Sequence, residues 1–259
     1  MLSSSQALIS RSSTSGPTIF SASLAIAFLF NLVPPAPFLQ GIDGGEPGNA
    51  YLTAAINIGL IALFGLQHSL MARPGFKRWL AGVLPPAAER STFMLATAVV
   101  VFLLCLAWQP MPTPVWRADD NLLYATLLAI GLAGWALVFY ATFLINHFDL
   151  FGLRQVWLYF QGREYTQIPF RVSSLYRFVR HPIMTGVLVG IWFTPVMTLG
   201  HLLFATGMSI YILVGVYHEE KDLVRAFGER YLRYRGTTGR FFPRAGVSQQ
   251  SRRSTEASV

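Results

Sequence analysis

The sequence predicts an all-α fold: a polytopic integral membrane helical bundle with about five or six transmembrane helices. Three observations carry this. Hydrophobic residues fill 53% of the 259 positions against 12% charged, with a mean hydropathy of +0.45, far from the usage of a water-soluble domain. Apolar runs recur at 18–38, 50–71, 91–108, 121–145, 183–199 and 202–217, several of them near the ~20 residues that cross a bilayer core. The Lys and Arg residues that bring the net charge to +8 fall almost entirely on one side when these runs alternate across a membrane.

In chain order, residues 1–17 are Ser-rich, with Arg11 and no acidic group, and read as a disordered tail. The apolar stretch from Thr18 to Val33 is followed by Pro34, Pro35 and Pro37 without a clear small-residue cleavage site, so it is expected to be a first membrane helix and not a signal peptide. Residues 18–145 form an N-terminal transmembrane bundle on this reading. The last two runs are short and separated only by Gly200 and His201, which predicts a tight helical hairpin over 183–217. Residues 245–259, rich in Ser, Gln and Arg with little to bury, are expected to be disordered.

Alternation puts Arg11, the four basic residues of 72–90, the five of 146–182 and the nine after 218 on one side, and only Arg117 on the other. Both chain ends are therefore expected to face the cytoplasm of a multi-pass cell-membrane protein. The same topology accounts for the basic charge without nucleic acid. Cys105, the only cysteine, lies in an apolar run, so no disulfide framework or cysteine metal site is available. The histidines are scattered and no HExxH stands in the chain, so no metal site is expected. Gly59, Gly65, Gly131 and Gly134 permit close helix contacts, but such residues do not establish an oligomer.

Two segments concentrate polar chemistry. "NHFDLFGLRQVWLYFQG" interleaves Asn146, His147, Asp149, Arg154 and Gln155 with aromatic residues, the mixture of a re-entrant or interfacial segment, or of an aromatic belt with flanking charges. His147 and Asp149, two apart, do not share a helical face. Further on, "LYRFVRHPIMTG" stops at His181-Pro182, where Pro182 suits a first helical turn and leaves Arg180 and His181 presenting side chains and amides to an anionic group. In "YHEEKDLVRAFGERYLRYR", Glu219, Leu223, Phe227, Tyr231 and Tyr234 recur at spacings of 4, 4, 4 and 3, one stripe of an amphipathic helix.

The ordered pattern Arg180-His181-Pro182, Gly186, Glu219-Glu220, Leu223, Phe227-Gly228, Tyr231, Tyr234 and Pro243 resembles the membrane methyltransferases that include isoprenylcysteine carboxyl and phospholipid methyltransferases. It covers about a quarter of the chain. "NHFDLFGLRQV", with the chain length and number of passes, narrows the likeness to methanethiol S-methyltransferases. The resemblance implies methyl transfer from S-adenosylmethionine to methanethiol, giving dimethyl sulfide, within a catalytic region at 146–244 with a cytoplasmic cofactor-binding cap. It also implies that Gln155, Tyr176, Arg180, His181, Pro182 and Gly186 shape the cofactor site and that Glu219 and Glu220 bind its ammonium or ribose groups. Tyr231 and Tyr234 would close it. Met184 departs from the aromatic residue usual at its position, which leaves no aromatic stacking partner there.

A thiol acceptor must lose a proton, because the thiolate is the effective nucleophile. His147 and Asp149 are the candidate bases, with Arg154 available to stabilise developing negative charge. Within the same class the acceptor could instead be hydrogen sulfide, a prenylcysteine carboxylate or a phospholipid amine. A transporter or channel is the reading from another class; it calls for repeat symmetry and broken helices, which the sequence does not display. Membrane lipid is the expected surrounding partner.

Overall fold

The computed structural model describes residues 16–31, 40–145, 149, 152–166 and 174–244. His147, the 245–259 tail and all of the 1–17 tail except Gly16 and Pro17 lie outside them. The helices are α1 (Gly16–Leu29), α2 (Ala50–Ala72), α3 (Pro74–Ala81), α4 (Glu89–Ala107), α5 (Asn121–Ile145), α6 (Leu153–Phe160), α7 (Pro182–Trp192), α8 (Leu199–Phe227) and α9 (Glu229–Thr237), with strands β1 (Pro114–Arg117) and β2 (Val196–Thr198). The protein is a helical membrane protein. Four helical stretches among the described residues are long and apolar enough to span a bilayer: Ala50–Ala72, Pro86–Ala107, Asn121–Leu144 and Leu199–Phe227. Their outward apolar side chains, Leu66 and Leu70 on α2 for example, are exposed, as a lipid-facing surface requires.

The chain folds as two compact units. In the first, α4 packs against α1 and α2. Asn49 caps α2 by accepting from the amides of Tyr51 and Leu52, satisfying donors that a helix start leaves free. Asn57, fully buried, exchanges two hydrogen bonds with the backbone of Gln109, at 2.8 and 2.9 Å, so a polar side chain sits in the interior without loss. In the same unit Phe28, Trp108 and Phe204 meet edge to face, with ring centroids 5.9–6.4 Å apart, the geometry that aromatic quadrupoles favour.

The sequence reading did not foresee a sheet. β1 and β2 pair antiparallel, because Pro110, Pro112 and Pro114 exclude a helix after α4. Asp43 accepts from the side chains of Thr198 and Asn31, tying the 40–49 loop to the start of α8. The loops around 40–49, 109–117 and 196–201 thus gather at one end of this unit. At the other end, α3 continues from α2, a 3-10 turn at Pro86–Ala88 leads into α4, and α6 packs on that turn.

The second unit is built on α5 and α7, the most extensively packed helix pair among the described residues. Here Gly134 and Gly186 bring two backbones together. A Cβ on Gly186 would lie 2.6 Å from the Gly134 carbonyl oxygen, and one on Gly134 would lie 2.6 Å from the Gly190 amide nitrogen. The contact that Gly134 permits is therefore made inside the chain.

The hairpin differs from expectation in two ways. Its bend lies at Phe193–Thr198, where Pro195 blocks a helix, while Gly200 and His201 are inside α8. The arms are also unequal. α7 has 11 residues, a rise of ~16 Å or about half a bilayer core, whereas α8 has 29 and runs through Glu219-Glu220 to Phe227. The amphipathic stripe is broken as well: Gly228, at φ +54° and ψ −131°, separates α8 from α9, so Tyr231 and Tyr234 sit on a different helix from Glu219 and Phe227. Gly accepts that backbone where L-residues are strained.

Candidate functional site

Among the described residues, the sequence-predicted site residues fall into two clusters, one in each unit. In the second unit, Pro182 stands at the first turn of α7 with His181 outside the α region before it, at φ −124° and ψ 62°, as the Pro signal implies. The amides of Arg180 and His181 do not face open space. They donate to the carbonyls of Gly239 and Arg240 at 2.8 and 3.1 Å, because the segment after α9 runs alongside them. Thr185 Oγ1, 2.9 Å from the Phe241 carbonyl, extends this seam.

Glu220 is the hub. Its side chain is 4% exposed and receives Arg180 at 2.8 Å (Nη2), Arg240 Nη2 at 2.8 Å and His181 Nε2 at 3.3 Å. Arg180, 8% exposed, also donates through Nη1 to the carbonyls of Arg235 and Thr238. Two guanidinium groups on one carboxylate are charge-assisted bonds, the stronger kind. Glu220 is therefore saturated by protein, whereas Glu219, with its side chain 53% exposed, faces His181 Nδ1 at 3.6 Å and keeps acceptor capacity. Burial pushes His181 below its ordinary value against the opposing pull of Glu220, so its imidazole is neutral at pH 7.

Tyr231 and Tyr234 are buried, with rings 5.8 Å apart. Tyr234 donates its hydroxyl to the Tyr176 carbonyl at 2.6 Å, joining α9 to the 3-10 turn Ser174–Arg177. The Tyr231 hydroxyl is buried with no hydrogen-bond partner among the described residues. Burial, with Glu220 nearby, raises it to about 12, so it remains a phenol and a donor. A buried orphan hydroxyl is destabilising unless something else occupies it. Burial likewise raises Tyr176 and Tyr234. Gly186 packs on α5 and builds the helix crossing.

In the first unit, Asp149 accepts from Arg154 Nη1 and from the Tyr165 hydroxyl, each at 3.1 Å, and the Arg154 guanidinium lies 5.2 Å from the centroid of the Tyr165 ring. Gln155 donates to the Asp149 carbonyl at 3.2 Å while its Oε1 is buried without a partner among the described residues. Gly152, at φ +78° and with Ser91 N 2.8 Å from where its Cβ would be, lets the chain turn into α6. The structure thus brings Asp149, Arg154 and Gln155 together. Sequence reasoning missed Arg240 and Tyr165: each lies in an irregular segment, and the only signal was nearby motif residues, "FFPR" for one and the Arg163-Glu164 pair for the other.

Comparison with known proteins agrees with the motif reading. The chain is 45% identical over 222 residues to methanethiol S-methyltransferase 2 of Bradyrhizobium diazoefficiens, covering 85% of this chain and 83% of that protein. It is 44% identical to the methanethiol S-methyltransferase of Mycobacterium tuberculosis, covering 85% and 88%. A more distant relative is Nurim of Xenopus laevis, 30% identical across 67% of this chain and 68% of that one. No family model and no solved structure matches.

Proposed function

The chain belongs to the methanethiol S-methyltransferase family, and from that premise we propose that it methylates methanethiol with S-adenosylmethionine, releasing dimethyl sulfide. It is a methyltransferase; cofactor, acceptor and residue roles are the proposal. The observation that carries it is likeness at 40–45% identity over about 85% of the chain to several proteins of that name.

The residues of the second unit fit the cofactor's polar groups. S-adenosylmethionine supplies an electrophilic methyl on a sulfonium sulfur and carries an ammonium, a carboxylate and ribose hydroxyls that need partners. The unpaired Tyr231 hydroxyl is a buried donor and Glu219 an acceptor with capacity to spare. Glu220 serves by holding Arg180, Arg240 and His181 in place, while Tyr176 and Tyr234 brace the turn before Pro182. Gln155 remains a candidate through its unpaired Oε1. Tyr231→Phe is expected to weaken S-adenosylmethionine binding about tenfold, the loss of one hydrogen bond, while the ligand-free melting temperature holds or rises. Calorimetry and a melting curve check both, and a fall in ligand-free stability would deny the hydroxyl its ligand role.

The thiol forms its new C–S bond as its proton leaves, and His147 or Asp149 takes that proton, directly or through water, with Arg154 beside it. Holding the reactants in line away from water supplies much of the acceleration. Asp149→Asn is expected to lower kcat by about two orders of magnitude with helicity unchanged in circular dichroism; full activity removes Asp149 from the chemistry. The overall reading is tested with purified full chain and methyl-labelled S-adenosylmethionine offered methanethiol, hydrogen sulfide, a prenylcysteine and a phospholipid amine. Label in dimethyl sulfide supports it, and transfer only to another acceptor overturns it.

We also place both chain ends in the cytoplasm. The loops poor in Lys and Arg meet at one end of the first unit, and the basic stretches around α3 and α6 lie at its other end, as alternation of the passes requires. On a Cys105→Ser background, Ser248→Cys should react with an impermeant maleimide only after the cell membrane is opened; labelling of intact cells would reverse the orientation.

A further inference from the structure

The first unit carries an aromatic and basic collar that the methyl-transfer chemistry does not use. α3 is tethered between two spans, ending α2 at Ala72 and leading within a few residues to the Pro86 start of the next, so chain continuity holds it at the end of the α2–α4 pair. Leu80 is buried beneath it and Phe76 is half-buried, while Trp79 is 62% exposed and Val83, just past the helix, 66%. α6 packs on the Pro86–Ala88 turn at that same end and exposes Trp157, Tyr159 and Phe160, the last at 79%. Two eight-residue helices thus pack on the unit and turn large aromatic side chains outward beside the spans.

The charge around them is one-sided. Along 73–90 and 149–164 the chain carries Arg73, Lys77, Arg78, Arg90, Arg154 and Arg163 against Glu89, Asp149 and Glu164. Two of those carboxylates are already engaged, Glu89 by Lys77 at 2.8 Å and Asp149 by Arg154. Arg73, Arg78 and Arg163 are exposed and flank the aromatic residues. Amphipathic indole rings prefer the headgroup level of a bilayer, and arginines there meet lipid phosphate.

We propose that α3 and α6 form an interfacial collar that selects anionic phospholipid, with Trp79, Trp157, Tyr159 and Phe160 seated in the interface and Arg73, Arg78 and Arg163 on the headgroups. Continuity with the membrane spans fixes lipid as the occupant, and the excess of cations fixes its sign. The proposal does not depend on the methyl acceptor or on any catalytic assignment.

The full chain, reconstituted in phosphatidylcholine, is probed by electron paramagnetic resonance with spin-labelled phosphatidylglycerol and phosphatidylcholine, which reads the relative association of each at the protein surface. Wild type is expected to prefer phosphatidylglycerol. Arg73→Gln with Arg78→Gln should reduce that preference about fivefold per arginine, the equivalent of ~1 kcal/mol each, with circular dichroism unchanged. Arg252→Gln with Arg253→Gln, in the tail, should leave it in place. No preference in wild type, an unchanged preference in the collar variant, or an equal loss in the tail variant overturns the proposal. Trp79 gives a second reading that survives poor folding of the double variant: brominated phosphatidylglycerol should quench wild-type fluorescence more than that of Trp79→Phe, and equal quenching counts against the collar.

Discussion

Glu220→Gln is expected to abolish activity and to destabilise the second unit by about 3–5 kcal/mol, the usual result of removing one partner from a buried ion cluster. The side chains of Glu220 and Arg180 are 4% and 8% exposed, so water cannot replace the lost carboxylate charge. Arg180 would keep its carbonyl acceptors at Arg235 and Thr238 but stand buried as an uncompensated cation. Arg240, 44% exposed, would turn to solvent at little expense and release the segment that lies along Arg180 and His181. Glu219→Gln is the informative contrast. Its side chain is 53% exposed and holds no arginine in the described structure, so stability should change by less than ~1 kcal/mol while S-adenosylmethionine binding weakens. Denaturant melts of the two variants, read beside calorimetric affinity, separate the roles; equal destabilisation by both would mean that Glu220 is not the hub.

A comparably large loss is expected for Gly186→Leu. Even Gly186→Ala would place a methyl 2.6 Å from the Gly134 carbonyl oxygen and 2.9 Å from the Val138 amide nitrogen. Backbone as well as the Val138 side chain is in the way, so α5 and α7 must separate. Alanine should cost about 1–3 kcal/mol, the range for overpacking, and leucine should prevent stable packing of the pair. Gly215→Ala, in α8 with nothing within 4 Å of its Cβ, is the control and should be neutral or stabilise by roughly 0.5–1 kcal/mol through helix propensity. A thermal shift series in detergent reads all three. Tolerance of leucine at 186 would mean that α5 and α7 do not cross as closely as described, and would return Gly186 to a role beside the cofactor.

Those two expectations show where reading from the sequence stopped. The ordered motif identified Glu219 and Glu220 as a pair and assigned both to the cofactor, because adjacent carboxylates are equivalent until their neighbours are known. Arg240 arrives from 20 residues away and Arg180 from 40, and their convergence makes one carboxylate structural and leaves the other available. The same motif assigned Gly186 to the cofactor site. Whether it admits a ligand or a helix depends on what lies opposite, and in the folded chain that is Gly134.

The sequence by itself determined the helical membrane class, the approximate limits of α2, α4 and α5, the helix start at Pro182 and membership of a methyltransferase family. These follow from hydrophobic run length, proline stereochemistry and a motif with fixed order, all of which act locally along the chain. Only the tertiary structure decided that the hairpin bends at Phe193–Thr198, that α7 stops at half a bilayer while α8 runs on to Phe227, and that Gly228 parts the tyrosines from the glutamates. It alone showed which buried polar groups are satisfied among the described residues and which, like the Tyr231 hydroxyl, are not. Hydrogen bonds and ion pairs between segments tens of residues apart set these features, and no periodicity in the sequence encodes a partner at that distance.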